Sequence, residues 1–340
     1  MKLLNVNALS AVEAGAVFAL LKNGAKLALT TFSEDFSEMK ELVAFTGTAG
    51  HILLADNNEI LLSVDNNLVL FRDNKYKMVL KAHRAENVFW HACKFHETVM
   101  VQECGLAPTS IYASGDLLSW KEVVSNLEID RHSKHFHQLV YDPYRDQLIA
   151  TLGDGNYIRV ICSDDGGLKW QPLFRGAWQF LPIVPLRDKI VFGMDSGLTS
   201  GGVGIYDPFE DYWEFTFLKW VGKDAKLAQM CDLKRLDTGL WLAALGTPQA
   251  LVLSEDLKKW YPLHMAGFDK RFNLYMKIAD GKNRVVCCAG PNLLIIEKEE
   301  LAEIGSNMRP VLVNHEAYTS RLIGTLFVLK RKFKNKIFIR

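Results

Sequence analysis

The sequence lacks most of the signatures that assign a chain to an enzyme class by inspection. It contains no Walker motif, no G-x-S-x-G and no H-E-x-x-H. Gly153-Asp154-Gly155 is not followed by a helical pattern, which excludes a dinucleotide-binding turn. Long apolar runs are absent too: Ala16 to Leu21 is cut short by Lys22-Asn23-Gly24, so no transmembrane helix is expected. Met1-Lys2-Leu3-Leu4-Asn5 shows no apolar core leading to a cleavage site, so no signal peptide is expected either. The cysteines at 93, 104, 162, 231, 287 and 288 form no C-x-x-C, and they read as reduced core residues of a cytoplasmic protein. Charge of one sign is missing as well. With 40 Lys and Arg against 39 Asp and Glu, well mixed, the body of the chain has no bias toward nucleic acid.

What is present is a repeated turn. Ser163-Asp164-Asp165-Gly166-Gly167-Leu168-Lys169-Trp170 follows the pattern S-x-D-x-G-x-x-W. Shorter copies without the glycine occur at Ser114, Asp116 and Trp120, and at Ser254, Asp256 and Trp260; Tyr206-Asp207 with Trp213 is a remodelled one. Ser and Asp side chains bond nearby backbone groups in such turns, Gly167 tolerates a positive φ, and the tryptophan covers the turn from the next strand. Successive tryptophans stand 50, 43 and 47 residues apart. That is room for about four strands per repeat, the size of a propeller blade. Turn signals cut the chain into seven units starting near Val17; six with ragged ends is the other count the spacing admits. The expectation is an all-β chain: a single β-propeller of four-stranded blades over residues 1–315, then a separate tail over 316–340. Arg309 to Asn314 is the segment expected to close the ring.

The full copy at Ser163 resembles the Asp box, or BNR repeat, of the sialidase-type β-propellers, and the resemblance covers roughly residues 88 to 265. It implies that the boxes lie on the hairpin between a blade's two outer strands, away from the usual binding face, and are structural. The arginine triad and the F/Y-R-I-P motif of catalytic sialidases are absent: Leu70-Phe71-Arg72-Asp73 is the nearest string. No sialidase catalytic residue is carried over.

In a propeller, ligands meet the face where the innermost strands start, beside the loops between second and third strands. Those positions are Trp90, His91, His135, His137, Trp178, Lys226 and Tyr275, with Glu103, Asp154, Asn156, Asp195 and Thr247 from the loops. The densest group is His135, His137 and Asp154, since residues two apart share one face of a strand. Three readings stay open. One is a metal site completed by Asp154 or His91, for which no fourth ligand is evident, so no metal or cofactor is expected. Another is a sugar or acid pocket, with His135, His137 and Asp154 as hydrogen-bonding or acid/base groups and Trp90, Trp178 and Tyr275 as stacking surfaces. The last is a structural network of buried histidines.

The tail from Arg321 to Arg340 interleaves basic and apolar residues without an acidic one, which suggests an anionic membrane surface, an acidic protein, or packing on the propeller. Two functions are therefore carried forward. The first is a carbohydrate-binding or carbohydrate-processing propeller, in the setting of bacterial surface-polysaccharide assembly at the inner membrane face. The second is a non-catalytic scaffold for protein or membrane-surface contacts.

Overall fold

Second strands such as Glu59–Val64 and Trp241–Gly246 are buried along almost their whole length. Continuous apolar runs of this kind suit sheets whose two faces both pack on neighbours. In the computed structural model, five sheets are four-stranded, and a nine-stranded sheet consists of two further sets of four joined through Leu312–Asn314. The chain is thus a seven-bladed β-propeller. The structure describes residues 1–56, 59–154, 157–195, 200–222, 228–246, 249–267, 277–290, 292–304, 308–315, 318, 321–322, 324–326 and 328–330. Blades 1 to 7 have as their innermost strands Ala8–Glu13, Gly50–Asp56, Val88–Phe95, Phe136–Asp142, Phe180–Pro185, Met230–Arg235 and Ile278–Asp280. Each packs against the next and the last against the first, which closes a ring around the channel.

Two expectations need correction. Blade 1 starts at Ala8, not near Val17; the small residues Ala8, Ser10 and Ala11 make a weak strand signal, and the ring supplies the burial that holds them. Closure comes from the other terminus. Lys2–Asn5 is the outer strand of blade 7, with Leu3 opposite Leu294 and Leu4 opposite Leu293. Leu312–Asn314 instead joins the outer strands of blades 5 and 6.

The innermost strands share a device that ties blade to blade. Those of blades 1 to 6 each carry a register shift near their start, for example between Phe89 and His91 and between Met230 and Asp232. A bulge frees backbone groups from the ladder. Side chains of the preceding blade then take groups near the starts of the innermost strands. Ile52 N donates to Ser10 Oγ (3.1 Å), Phe89 N to Ser63 Oγ (3.1 Å), Ile183 N to Gln138 Oε1 (2.7 Å) and Ile278 N to Asp232 Oδ2 (2.7 Å). Between blades 3 and 4, Gln102 Nε2 donates to Phe136 O (2.8 Å).

The three Ser-x-Asp turns join third and fourth strands and share one bonding pattern. Asp116 Oδ1 accepts from Ser119 N (2.7 Å), Asp165 Oδ1 from Lys169 N (2.8 Å) and Asp256 Oδ1 from Lys259 N (2.9 Å). The indole N–H of each tryptophan donates back into its turn, to Leu117 O, Gly167 O and Leu257 O. Gly167 has φ 92°, while Leu117 and Leu257 take φ 63° in its place. Their side chains pack on hydrophobic clusters, which offsets the strain. A fourth turn of the kind, Ser33 Oγ to Asp35 Oδ1 (2.7 Å), escapes the motif because no tryptophan follows it.

Candidate functional site

Strands alternate in direction within a blade, so the starts of the innermost strands and the second-to-third connections lie at one end of the ring, the mouth end. The Ser-x-Asp hairpins lie at the opposite end. At the mouth end one backbone bond recurs. The residue at or just after the end of the second strand donates to the carbonyl of the residue just before the innermost strand: Gly153 N to His135 O, Asp195 N to Gln179 O and Gly246 N to Gln229 O, each at 2.9 Å. Blades 4, 5 and 6 thereby present His135, Gln179 and Gln229 at equivalent positions beside Gly153, Asp195 and Gly246.

His135 and His137 meet through their Nε2 atoms at 3.1 Å. His135 Nδ1 lies 2.8 Å from Gly105 O, and His137 Nδ1 lies 3.2 Å from Phe180 O. A carbonyl oxygen only accepts, so an Nδ1 that bonds one carries the hydrogen; two neutral rings have two hydrogens for these three contacts, which leaves at least one ring nitrogen bare. Burial holds both imidazoles down at about 4; for His135 the neighbouring His137 adds to it. A neutral pair of this kind can accept a hydrogen bond from a ligand hydroxyl. A Cβ on Gly153 would lie 2.5 Å from both Nε2 atoms, so any larger residue there displaces the pair. The buried Arg159 pins that glycine, its Nη1 donating to Gly153 O at 2.8 Å.

Two carboxylates, Asp154 and Asp195, lie within electrostatic reach of the pair, and the Gln179 amide favours the charged form of both. Burial, reinforced by the charge of Asp154, pushes Asp195 up to about 6. Gln229 Nε2 also donates to Asp195 Oδ1 at 3.3 Å. Asp154 is more open, with its side chain 53% exposed and 3.6 Å from the Lys134 ammonium. Burial pulls its carboxyl upward, but His137, Lys134, His135 and the Gln179 bond outweigh that and hold it below its ordinary value. Two neighbouring carboxyl groups are thus pushed in opposite directions, the arrangement that divides an acid from an ionised partner.

Other predicted residues go elsewhere. Glu103 is fully buried and turns toward the segment linking blades 2 and 3. It accepts from His83 N (2.9 Å) and Asn87 Nδ2 (2.6 Å), with His83 Nδ1 at 2.7 Å. Trp90 is only 9% exposed, packed edge-on against His51 with the Lys277 ammonium 5.7 Å from its ring centre, so it offers no free stacking face. Lys277 Nζ donates to Trp90 O at 2.6 Å. Burial lowers that amine to about 8, and Asp232 partly offsets the shift. His91 follows in the same wall, where burial and then Lys277 drive it well below its ordinary value. Trp178 packs on Phe215 and Phe217. Asn156, Lys226, Thr247 and Tyr275 lie outside the described residues. Among the described residues, no group of three His, Cys, Asp or Glu side chains is arranged to hold a metal ion.

Gln179 and Gln229 escape a motif search because neither belongs to a motif. The signal that finds them is their offset: each immediately precedes an innermost strand, as His135 does.

The ionisations pull stability in opposite directions between pH 4 and 6.5. The histidines, with lowered folded values, contribute stability that is present above 6.5 and lost as pH falls toward 4. Asp195, with a raised value, contributes stability present below 3.8 and lost as pH rises through about 6. Asp195→Asn should therefore stabilise the protein at pH 7 by about 1–3 kcal/mol and by little at pH 4. Melting temperatures across that range test it, and an unchanged melting point at pH 7 contradicts it.

The chain matches no known family profile and no curated protein. Solved structures resemble it at the level of the fold. One is the extracellular domain of a putative one-component system from B. thetaiotaomicron: TM-score 0.61, 9% identity, 85% of this chain but only 38% of that one. Another is the GH74 xyloglucanase from Xanthomonas campestris: TM-score 0.60, 11% identity, 86% of this chain and 53% of that one. YCF48 bound to D1 peptide aligns at TM-score 0.59 and 12% identity over 87% of this chain and 96% of that one. These likenesses place the chain among β-propeller proteins. The first-named structure is far longer, and this chain spans well under half of it.

Proposed function

We propose that the mouth end of blades 4 to 6 binds a carbohydrate and acts on it by proton transfer. Asp195 is the group that holds a proton up to about pH 6, Asp154 is its ionised partner, and the His135–His137 pair accepts bonds from sugar hydroxyls. The observation that carries this reading is two carboxyl groups at one mouth, Asp154 and Asp195, that feel each other's charge and are shifted in opposite directions, with Gln229 Nε2 donating to Asp195 Oδ1. An acid and an ionised carboxylate at one site are the equipment of glycosidic bond cleavage. The fold is compatible with such a role, since a xyloglucanase is among the solved neighbours. The finer likeness to the sialidase-type propellers rests on the Ser-x-Asp turns at Ser114, Ser163 and Ser254.

A glycan array, followed by hydrolysis assays on whatever binds, tests the proposal. Asp195→Asn should keep binding and lower turnover by a factor of about 100 or more. Asp154→Asn should lower turnover comparably, and His137→Ala should weaken binding. Glycan binding indifferent to all three changes would remove the mouth end from consideration.

A scaffold role is favoured by one separate observation. Tyr144, Leu168 and Phe209, on connections, and Tyr212, at the start of a fourth strand, are exposed at 51%, 78%, 79% and 62%, all at the end opposite the mouth. Large apolar side chains gathered at one end suit a protein contact. Loss of a partner on Leu168→Asp with Phe209→Asp, with the mouth residues unaltered, would separate this reading from the first.

A further inference from the structure

The described residues at 318, 321–322, 324–326 and 328–330 are helical. Four of them are large, apolar and exposed: Tyr318 (74%), Leu322 (59%), Leu326 (55%) and Leu329 (45%). On a regular helix, at about 100° per residue, these four positions span an arc of about 80°, a single stripe. Gly324 lies about 160° round the helix from the centre of that stripe. It is buried, and a Cβ there would come within 2.7 Å of the Trp178 ring. The Arg321 guanidinium adds a contact 5.4 Å from the Phe217 ring centre. The helix is therefore seated on the propeller by the Gly324 side and presents the apolar stripe outward.

Charge decides what covers the stripe. Arg321, Lys330, Arg331, Lys332, Lys334, Lys336 and Arg340 follow in the same segment, with no Asp or Glu from 321 to 340. A second copy of the same segment would repel this one. An anionic lipid surface satisfies the charge and the stripe together. No helix among the described residues is long and apolar enough to cross a membrane, which suits a helix lying in the interface.

We propose that this helix is an interfacial anchor, laying Tyr318, Leu322, Leu326 and Leu329 into an anionic bilayer surface. Its seat also sets an orientation. Trp178 stands two residues before the innermost strand of blade 5, at the mouth end, next to Gln179. The anchor thus lies at the mouth end with its stripe pointing away from the blades, and membrane binding turns that end toward the lipid. The anchor stands on the surface of the helix and does not depend on the carbohydrate reading, so either can fail alone.

Co-sedimentation of the full chain with vesicles tests it. Wild-type protein should bind phosphatidylcholine vesicles containing about one-third phosphatidylserine, bind pure phosphatidylcholine at least about tenfold more weakly, and dissociate at high salt. Leu322→Glu with Leu326→Glu should lower the partition coefficient at least about tenfold. Its melting temperature should stay unchanged, because both side chains are exposed. In amine footprinting on bound vesicles, Lys134 at the mouth end should lose reactivity while Lys169 at the far end keeps it. Absence of wild-type binding overturns the anchor, as does binding that survives the double variant. A concentration-dependent dimer with no affinity for vesicles assigns the stripe to a second copy and overturns it as well. Equal protection of Lys134 and Lys169 overturns the orientation.

Discussion

Deleting residues 1 to 6 should lower the melting temperature by more than about 10 °C or leave the protein insoluble. The deletion removes Lys2–Asn5, the strand that completes blade 7. The newly exposed edge is Asn292–Glu297, whose Leu293, Leu294 and Ile296 are fully buried in the intact ring. An open apolar edge is a template for aggregation. The loss also strips Leu4 and Val6 from the cluster around Ala19, Val286 and Ile295. Each partly buried side chain contributes on the order of 1–2 kcal/mol and each ladder bond about 1 kcal/mol, so several kcal/mol are at stake in a fold whose net stability is only about 5–15 kcal/mol. A synthetic peptide of residues 1–6 supplied in trans should restore part of the loss. A truncated protein that melts like the wild type would mean that the ring does not depend on this strand.

Trp260→Ala should cost about 3–5 kcal/mol, while Trp120→Ala costs about 1–2 kcal/mol, as measured by denaturant unfolding. The two tryptophans occupy equivalent positions in equivalent turns and make the same indole bond at 3.2 Å. They differ in what lies over them. Trp260 is fully buried, paired with Leu312 of the bridging strand and packed in a cluster with Trp220, Trp241 and Leu257. Val311 N donates to Trp260 O at 2.8 Å, which ties the bridge to blade 6. Trp120 has no such cover and remains half-buried. Equal costs for the two substitutions would show that the bridging strand contributes nothing to the burial of Trp260.

The residues that were legible are those whose bonding is local. Ser163, Asp165 and Trp170 bond only within an eight-residue turn, so spacing alone identified the hairpins, and the hairpins gave the blades. His135 and His137 were legible as residues two apart at the start of an innermost strand, and Asp154 and Asp195 as residues of the facing connections. The head-to-head contact of the histidines was not legible. It depends on the bulge between Phe136 and Gln138, which interrupts the strand at that point, and on carbonyls 30 and 43 residues away in sequence.

By itself the sequence determined the all-β propeller of four-stranded blades and the hairpins that carry the Ser-x-Asp turns, because strand alternation and turn bonding act over a few residues. The tertiary structure alone decided which candidates meet at the mouth end. Glu103 is drawn into the blade 2–3 linker, Trp90 is covered by His51 and Lys277, and Trp178 becomes the seat of a helix from the far end of the chain. It also brought in Gln179 and Gln229 and assigned ring closure to the N-terminal strand. Those outcomes depend on burial and hydrogen bonding between segments far apart in sequence, which no local pattern encodes.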